Sequence, residues 1–308
     1  MRFQGRDGQI IREIHTSDGL LARRHIKELF WPTATWRAME KRLSLLQQAR
    51  YLDWPTLEQR KQHPIPEPIC WLGWRGGQWL AGEQGLAVTG PAKENETHLR
   101  LFKRRLRREG FHWTRQPRWS QLAHDLAVVD VRLALERATA QHPMFTLESW
   151  LPESVFRAEP DVVDYQYTTP AGRVRRRKKG VRPDGLCVIV NERRRQRGED
   201  HRLRLLLELD NATHADTKFA REKVAAGAAY IKSPAYRARF GYNAGHWLVV
   251  VKSEVRLRHL MRVAEQVAGD AGHLFSFATL ADVRRHNMLL DPIWHQMGRE
   301  TAGPLPLN

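Results

Sequence analysis

Apolar residues near the start of the chain recur at helical spacing in two consecutive stretches. The first covers residues 20–30 and follows a Thr-Ser-Asp segment at 16–18, which offers an N-cap. The second covers residues 36–52, after a break at 32–35 that contains a proline. The pattern predicts two short helices joined by a tight turn.

A candidate β-hairpin follows these helices. Residues 69–74 and 78–81 are largely apolar and flank an Arg-Gly-Gly segment, which is typical of a turn between strands. Two helices followed by a hairpin is the order of a winged helix-turn-helix, whose second helix enters the DNA major groove. A plain helical cap on the next domain is the alternative. The candidate DNA contacts in this part are Arg37, Lys41, Arg42 and Arg75.

Beyond about residue 119 the apolar pattern alternates between helical and strand periods. After the first helix of this part, a loop is predicted that carries Glu148, Trp150 and Glu153. This alternation is typical of a mixed α/β core around a short sheet. The predicted helices cover residues 121–139, 213–231 and 255–267, and the predicted strands cover 185–190, 203–210, 246–251 and 274–277.

The net charge of the chain indicates which class of molecule it binds. The 308 residues carry a formal net charge of +17, an excess that favours nucleic acid through neutralisation of phosphates. No apolar run approaches the ~20 residues of a membrane-spanning helix, and the polar N-terminus does not resemble a signal peptide. The two cysteines, Cys70 and Cys187, are far apart, which favours a reducing cytoplasm over a disulfide framework or a zinc module.

Basic residues concentrate in three segments. Residues 97–118 form a basic stretch with interleaved aromatics, which suits phosphate contact with base stacking, although a solvated helix face is an equal alternative. Residues 173–179 and 193–197 flank the strand predicted at 185–190, and the first of them predicts a hairpin tip or a loop. Candidate DNA contacts here are Arg104, Arg105, Arg176, Arg177, Lys178 and Lys179.

An apolar strand that ends in carboxylates is the sharpest chemical feature. Because strand side chains alternate between faces, Glu208 and Asp210 project from the same side of the strand 203–210. Asp184 opens the neighbouring predicted strand and is expected to reach the same point. Two carboxylates ~4 Å apart repel by about 4 kcal/mol at an effective dielectric of ~20. A Mg²⁺ ion held by Asp184, Glu208 and Asp210 would relieve this repulsion, with Mn²⁺ as the alternative.

The helix after this strand supplies a candidate cation. On a helical wheel, Lys223 falls inside the apolar arc beside Tyr230, where an ammonium is costly unless it meets negative charge. We expect it to meet the carboxylates and to orient or deprotonate a water, or to stabilise charge on a phosphate. A lysine that reaches solvent from the helix margin is the alternative.

Two further residues are candidates for the same site. His124 lies near the centre of an apolar arc of the helix 121–139, where a hydrogen-bonded core histidine is the more common role. Glu153 lies in the loop beyond. Either side chain is a possible addition to the acidic cluster.

These residues together resemble the PD-(D/E)xK nuclease superfamily, with Pro183-Asp184 as the first half of the motif and Glu208-Leu209-Asp210 as the second. The chain is more closely similar to the replication-relaxation family of plasmid and mobile-element proteins. That resemblance rests on the N-terminal pattern and on the segments 124–131, 182–185, 207–210 and 223–230. It implies DNA binding linked to plasmid replication or mobilisation. The superfamily lysine belongs at position 210, where this chain has Asp210, and Lys223 would replace it from the next helix.

The sequence therefore predicts an α/β protein with a winged helix-turn-helix over residues 1–96, a basic connector over 97–118 and a nuclease-like core over 119–308. The expected function is Mg²⁺-dependent DNA cleavage. The alternatives are an inactive DNA-binding factor of the same fold and an RNA-binding or RNA-cleaving protein. The expected partner is double-stranded DNA, with a possible homodimer and no membrane.

Overall fold

Two units make up the chain, Met1–Val129 and Asp130–Asn308, and each contains a sheet of its own. The computed structural model describes residues 2–168, 172–211, 216–242 and 244–306. Within these residues, no helix combines the length and apolar character needed to cross a membrane.

Short helices surround a three-stranded sheet in the first unit. Its helices are α1 (Gly5–Thr16), α2 (Arg23–Phe30), α3 (Trp36–Gln48), α4 (Leu57–Gln62), α5 (Trp74–Glu83) and α6 (Glu96–Arg108). Its strands are β1 (Leu20–Ala22), β2 (Leu52–Asp53) and β3 (Ile69–Leu72), with β3 in the centre and antiparallel to both neighbours. All four residues of β3 are buried, as expected for a central strand.

The second predicted helix is confirmed, but the first was misplaced. Thr35 caps α3, since its hydroxyl accepts a hydrogen bond from the Ala38 amide at 3.3 Å. The segment 16–18 does not cap a helix; Thr16 is the last residue of α1, and Asp18 and Gly19 turn the chain with positive φ. Residues 20–22 are strand β1, so the helix of this region begins only at Arg23.

The hairpin predicted around Arg75 is wrong. Residues 69–72 do form a strand, but Gly76 and Gly77 lie inside α5. Glycine is needed at both positions for close packing: a Cβ on Gly76 would lie 2.3 Å from the carbonyl oxygen of Tyr51, and one on Gly77 would lie 3.0 Å from the Trp113 ring. The antiparallel pair is instead β2 with β3, and α4 lies in the connection between them.

The predicted basic connector lies within the first unit. Residues 96–108 form α6, which buries Phe102 and Leu106 and exposes most of its arginines. The helix therefore packs on one side and presents a basic face on the other.

A six-stranded mixed sheet forms the centre of the second unit. Its helices are α7 (Leu122–Ala140, which begins in the first unit), α8 (Glu153–Ala158), α9 (Glu192–Gln196), α10 (Asp216–Phe219), α11 (Ala226–Ile231), α12 (Pro234–Phe240), α13 (Glu254–Ala268) and α14 (Leu280–Arg285). Its strands are β4 (Phe145–Pro152), β5 (Asp161–Thr168), β6 (Val174–Val181), β7 (Gly185–Asn191), β8 (Arg202–Asp210), β9 (His246–Val251), β10 (Phe275–Thr279) and β11 (His295–Gln296). The strand order is β11-β10-β9-β8-β7-β4, and β8, β9 and β10 run parallel.

The mixed α/β prediction is confirmed for this unit. The strands predicted from apolar runs appear as β7, β8, β9 and β10, and the predicted helix 255–267 appears within α13. The predicted start of a helix at Thr213 lies outside the described residues. The loop predicted to carry Glu148, Trp150 and Glu153 is wrong, because the first two lie in strand β4, which pairs with β7, and Glu153 begins α8.

One face of this sheet carries the core of the unit. Leu206, Trp247 and Phe277 are buried there, together with Phe219 and Leu260 from the helices. Glu208 is two residues beyond Leu206, so alternation places its carboxylate on this packed face.

The basic run 173–179 was predicted as a hairpin tip or a loop, but only Arg173 lies outside the strand. Residues 174–181 form β6, which pairs antiparallel with β5 in a two-stranded ribbon. Val163 and Tyr165 of β5 are buried against the main core, and this anchors the ribbon.

Gly73 provides a test of the close backbone packing in the first unit. A Cβ at Gly73 would lie 2.3 Å from the carbonyl oxygen of Arg50, so Gly73→Ala should lower the free energy of unfolding by roughly 2 kcal/mol or more. Gly82→Ala is the matched control, because a Cβ there meets nothing within 4 Å and alanine favours the helix by about 0.5–1 kcal/mol. Urea unfolding followed by circular dichroism measures both. Equal midpoints for the two variants would contradict the close contact.

Candidate carboxylate and lysine site

Asp184 and Glu208 lie side by side at the ends of adjacent strands. Gly185 pairs with Leu207, so the antiparallel register places Asp184 next to Glu208. The Asp184 amide donates to the carbonyl oxygen of Leu207 at 2.8 Å, and its carboxylate accepts from the Leu209 amide at 2.7 Å. Both side chains are nearly buried, with Asp184 7% and Glu208 5% exposed. Two acids are thus held together where burial makes their charge costly.

Lys223 supplies the opposite charge, as the helical wheel predicted. Its Nζ lies 2.7 Å from Oε2 of Glu208. The lysine lies in a π-helical segment, Ala220–Ala225, between α10 and α11. Such widened turns are rare and often occur at functional sites.

The electrostatics of Lys223 define its role. Burial lowers the pKa of its ammonium, but the negative charges of Glu208, Asp184 and Glu153 outweigh burial and raise that pKa above its ordinary value. The direction of this shift favours the protonated form of Lys223 at neutral pH. A protonated lysine can orient a ligand or stabilise negative charge.

Glu153 contributes to the same field. It is the first residue of α8, immediately after β4, and its charge raises the pKa of Lys223. Arg157, one turn later, lies 3.7 Å from its carboxylate. Of the two additional candidates, Glu153 therefore interacts electrostatically with the carboxylate and lysine site. His124 belongs to the first unit, where it is partly buried on α7.

Asp210 does not join the other two acids as a metal ligand. Its carboxylate is fully buried and accepts from Nε of Arg256 on α13 at 2.7 Å. Positions 208 and 210 are separated by about 6.6 Å along a strand, which allows each acid its own basic partner. Across the described ranges of the chain, no group of three or more His, Cys, Asp or Glu side chains is placed to hold a metal ion. The predicted three-carboxylate cluster is therefore replaced by a pair, Asp184 and Glu208.

Glu222 is a further charged residue of this site, which was not predicted from the sequence. Its carboxylate lies 2.8 Å from Lys179 of β6 and 2.8 Å from Arg221. Burial raises the pKa of Glu222, but hydrogen bonds and charge from Lys179 and Arg221 lower it to about 2. The sequence offers no signal for this contact, because it depends on the position of the β5–β6 ribbon.

The two ion pairs Lys223–Glu208 and Lys179–Glu222 line one cleft. The cavity has a volume of about 310 Å³ and is bounded by the ribbon, by β8 and β9 and by the π-helical segment. Its lining residues are Lys179, Gly180, Val181, Arg182, Glu208, Glu222, Lys223, Gly227 and Trp247. An anionic group entering the cleft would meet Lys179, Arg182 and Lys223.

One face of the ribbon extends the basic surface away from this cleft. Arg177 pairs with Tyr165 and Arg175 pairs with Tyr167 in the antiparallel register, so each arginine shares a face with a tyrosine. Lys179 lies on that face as well. Arg176 and Lys178 are exposed on the opposite face. The face beside the cleft thus combines cations with aromatic rings.

The candidate DNA contacts of the first unit have different environments. Arg37 and Lys41 are exposed on α3, whereas Arg42 donates to the buried Asp7 at 2.8 Å. Arg42 therefore anchors α3 to α1. Arg75 is exposed on α5 above the ring of Trp74. Arg104 and Arg105 are exposed on α6.

A comparison with protein families identifies the chain. Residues 16–243 match the replication-relaxation family, so the chain belongs to that family and the resemblance noted from its motifs is confirmed. Membership implies a role in plasmid or mobile-element replication and suggests interaction with DNA. No curated protein and no solved structure matched the chain.

The ion pair at Glu222 gives a test by pH. Because the folded-state pKa of Glu222 is lowered to about 2, its carboxylate stabilises the fold above about pH 4.5, and this contribution disappears as the pH falls toward 2. Glu222→Gln should therefore cost of order 1 kcal/mol at pH 6 and much less at pH 2.5. Glu265→Gln, at an exposed position on α13, should have little effect at either pH. Thermal unfolding at the two pH values measures the difference, and a pH-independent cost would argue against the pair.

Proposed function

We propose that this protein is a Mg²⁺-dependent DNA endonuclease that nicks or cleaves DNA during plasmid or mobile-element replication. The observation that carries the proposal is the contact between Lys223 and Glu208 beside Asp184, in a cleft lined by further cations. Nearly buried carboxylates next to a protonated lysine are the side chains that phosphodiester hydrolysis uses.

The order of elements supports a PD-(D/E)xK-like core. Helix α7 is followed by the antiparallel strands β4, β7 and β8, then by the helical segment containing Lys223 and by the parallel strand β9. Asp184 precedes β7 and Glu208 lies near the end of β8, as the resemblance implies. Lys223 comes from the next helix, which compensates for Asp210 at the position of the superfamily lysine.

The donor set fits Mg²⁺. Asp184 and Glu208 would hold the ion through carboxylate oxygens, and Mg²⁺ commonly binds to one or two carboxylates while it keeps several waters. When bound, the ion would offset the negative charge that develops on the scissile phosphate. Lys223, which stays protonated, would stabilise the same charge from the helix side.

The first unit supports a DNA-targeting role. Its order α1-β1-α2-α3-β2-α4-β3, with β3 paired between β1 and β2, supports a winged-helix arrangement in which α4 is an addition to the β2–β3 connection. In this arrangement α3 would read the major groove with Arg37 and Lys41, and the β2–β3 connection would serve as the wing. Arg42 is excluded from this role by its bond to Asp7.

A second candidate function is DNA binding without cleavage. It is favoured by one observation: Lys223 already neutralises Glu208, so the carboxylate pair does not need a metal to be stable. The basic ribbon and the first unit would then bind DNA in replication control, and the carboxylates would be structural.

A plasmid-nicking assay separates the two functions. With Mg²⁺, Asp184→Asn, Glu208→Gln and Lys223→Met should each lower the nicking rate by at least 100-fold. The first two remove carboxylates that would hold the ion, and the third removes the cation that would stabilise charge on the scissile phosphate. Asp270→Asn and Lys252→Met are the matched controls at exposed positions of the second unit and should nick like the unaltered protein. EDTA should abolish nicking. If the unaltered protein nicks nothing with Mg²⁺ or Mn²⁺, the non-catalytic function holds.

The salt dependence of DNA binding tests whether the β5–β6 ribbon contacts DNA. The double substitution Arg175→Gln with Arg177→Gln should weaken binding to duplex DNA, and should reduce the slope of log affinity against log salt by roughly 1.8. Arg258→Gln with Arg262→Gln removes the same charge from exposed positions on α13 and should leave the slope unchanged. Fluorescence anisotropy from 50 to 200 mM NaCl, with RNA of equal length as competitor, measures this. Equal slopes for both double variants would remove the ribbon from the interface.

A further inference from the structure

A second cavity, of about 230 Å³, lies within the first unit and is rich in tryptophan. Its lining includes Trp54, Trp71, Trp74, Trp113, Asp53 and Arg115. We propose that this cavity binds one guanine base of single-stranded DNA, with the Asp53 carboxylate as the group that recognises the base. The proposal concerns binding by the first unit and does not depend on cleavage by the second.

The aromatic walls are held in place by contacts on their other sides. The Trp113 indole donates to the carbonyl oxygen of Leu72 at 3.0 Å, and the Trp74 indole donates to Glu94 at 3.1 Å. Arg23 lies over the Trp54 ring, 4.7 Å from its centroid. Trp71 and Trp113 are almost fully buried, so the rings on which a flat ligand would stack are those of Trp54 and Trp74, which are partly exposed. Rings fixed in this way lose little entropy on binding, and stacking of a base on an aromatic side chain is worth ~1–3 kcal/mol.

Asp53 differs from the other acids near this cavity. Glu94 is paired with Arg50 at 2.8 Å, and Glu96 with Arg115. By contrast, the half-buried carboxylate of Asp53 interacts with Arg50 and Arg115 only through their charge, and it accepts no hydrogen bond from any residue that the structure describes. A carboxylate shielded from water by tryptophans and left without a protein donor favours a ligand that brings donors of its own.

The chemistry of the bases selects guanine. Its Watson–Crick edge presents two adjacent donors, the N1–H and the N2 amino group, which match the two oxygens of one carboxylate. Adenine and cytosine place a single amino group beside an acceptor nitrogen, and thymine places its N3–H between two carbonyls that would repel a carboxylate. A cavity of this volume takes a base but little of the attached sugar and phosphate.

The charge state of Asp53 adds a pH signature. Burial and Glu94 raise the pKa of Asp53 to about 6, against the opposing charges of Arg50 and Arg115. Only the ionised carboxylate can accept both guanine donors. The preference for guanine should therefore be present at pH 7.5 and disappear as the pH falls through about 6.

The test compares labelled oligothymidine strands that contain one central guanine, hypoxanthine or adenine. Anisotropy titrations use the full-length protein in EDTA, so that cleavage does not contribute. At pH 7.5 the guanine strand should bind about tenfold more tightly than the adenine strand, and the hypoxanthine strand, which lacks the N2 amino group, should be intermediate. Asp53→Asn should abolish the guanine preference, whereas Glu109→Gln, at an exposed position after α6, should retain it.

Two results would overturn the proposal: equal affinity of the unaltered protein for the guanine and adenine strands, or a guanine preference that survives in Asp53→Asn. Circular dichroism shows whether that variant is folded. If it is not, the unaltered protein alone decides, because its guanine preference must be lost at pH 5. A failure of nicking in the separate plasmid assay leaves these expectations unchanged.

Discussion

The second unit depends on one constraint, which is that negative charge at the end of a buried strand must be balanced. Strand β8 runs through the core and ends with Glu208 and Asp210 on its packed face. Each carboxylate is balanced by a different element, Glu208 by Lys223 and Asp210 by Arg256. Removal of either cation would leave a buried charge without its main partner, which typically costs 3–5 kcal/mol. The ion pairs that hold these two helical segments on the sheet therefore also place Lys223 in the cleft.

Part of this arrangement could be predicted, because it follows from the local periodicity of the sequence. Alternation along β8 gave the common face of Glu208 and Asp210, and helical spacing gave the unusual position of Lys223. The partner of Asp210 was not predictable, since Arg256 lies 46 residues away on an ordinary amphipathic helix. The ribbon was missed for another reason. The run 174–179 has no apolar alternation, and its strand character comes from pairing with β5.

In the first unit, a pair of glycines led to a wrong prediction of a hairpin. A Gly-Gly pair between apolar stretches is typical of a hairpin, yet Gly76 and Gly77 lie in a helix. Their lack of a side chain allows the helix to approach Tyr51 and Trp113, a requirement that depends on tertiary packing. The strands of this unit are only two to four residues long, too short for a periodic signal.

The π-helical turn connects the two halves of the cleft. Glu222 and Lys223 are consecutive residues of that turn, yet Glu222 contacts Lys179 on the ribbon and Lys223 contacts Glu208 on the sheet. Both ion pairs thus depend on one local backbone geometry with a wider turn than an α-helix has. Chain length is consequently constrained here as strongly as side-chain identity. Loss of a single residue here would restore regular α-helical winding and would move Glu222 and Lys223 away from their partners at the same time. The length of this segment in related proteins should therefore distinguish members that keep an intact cleft from members that have lost it.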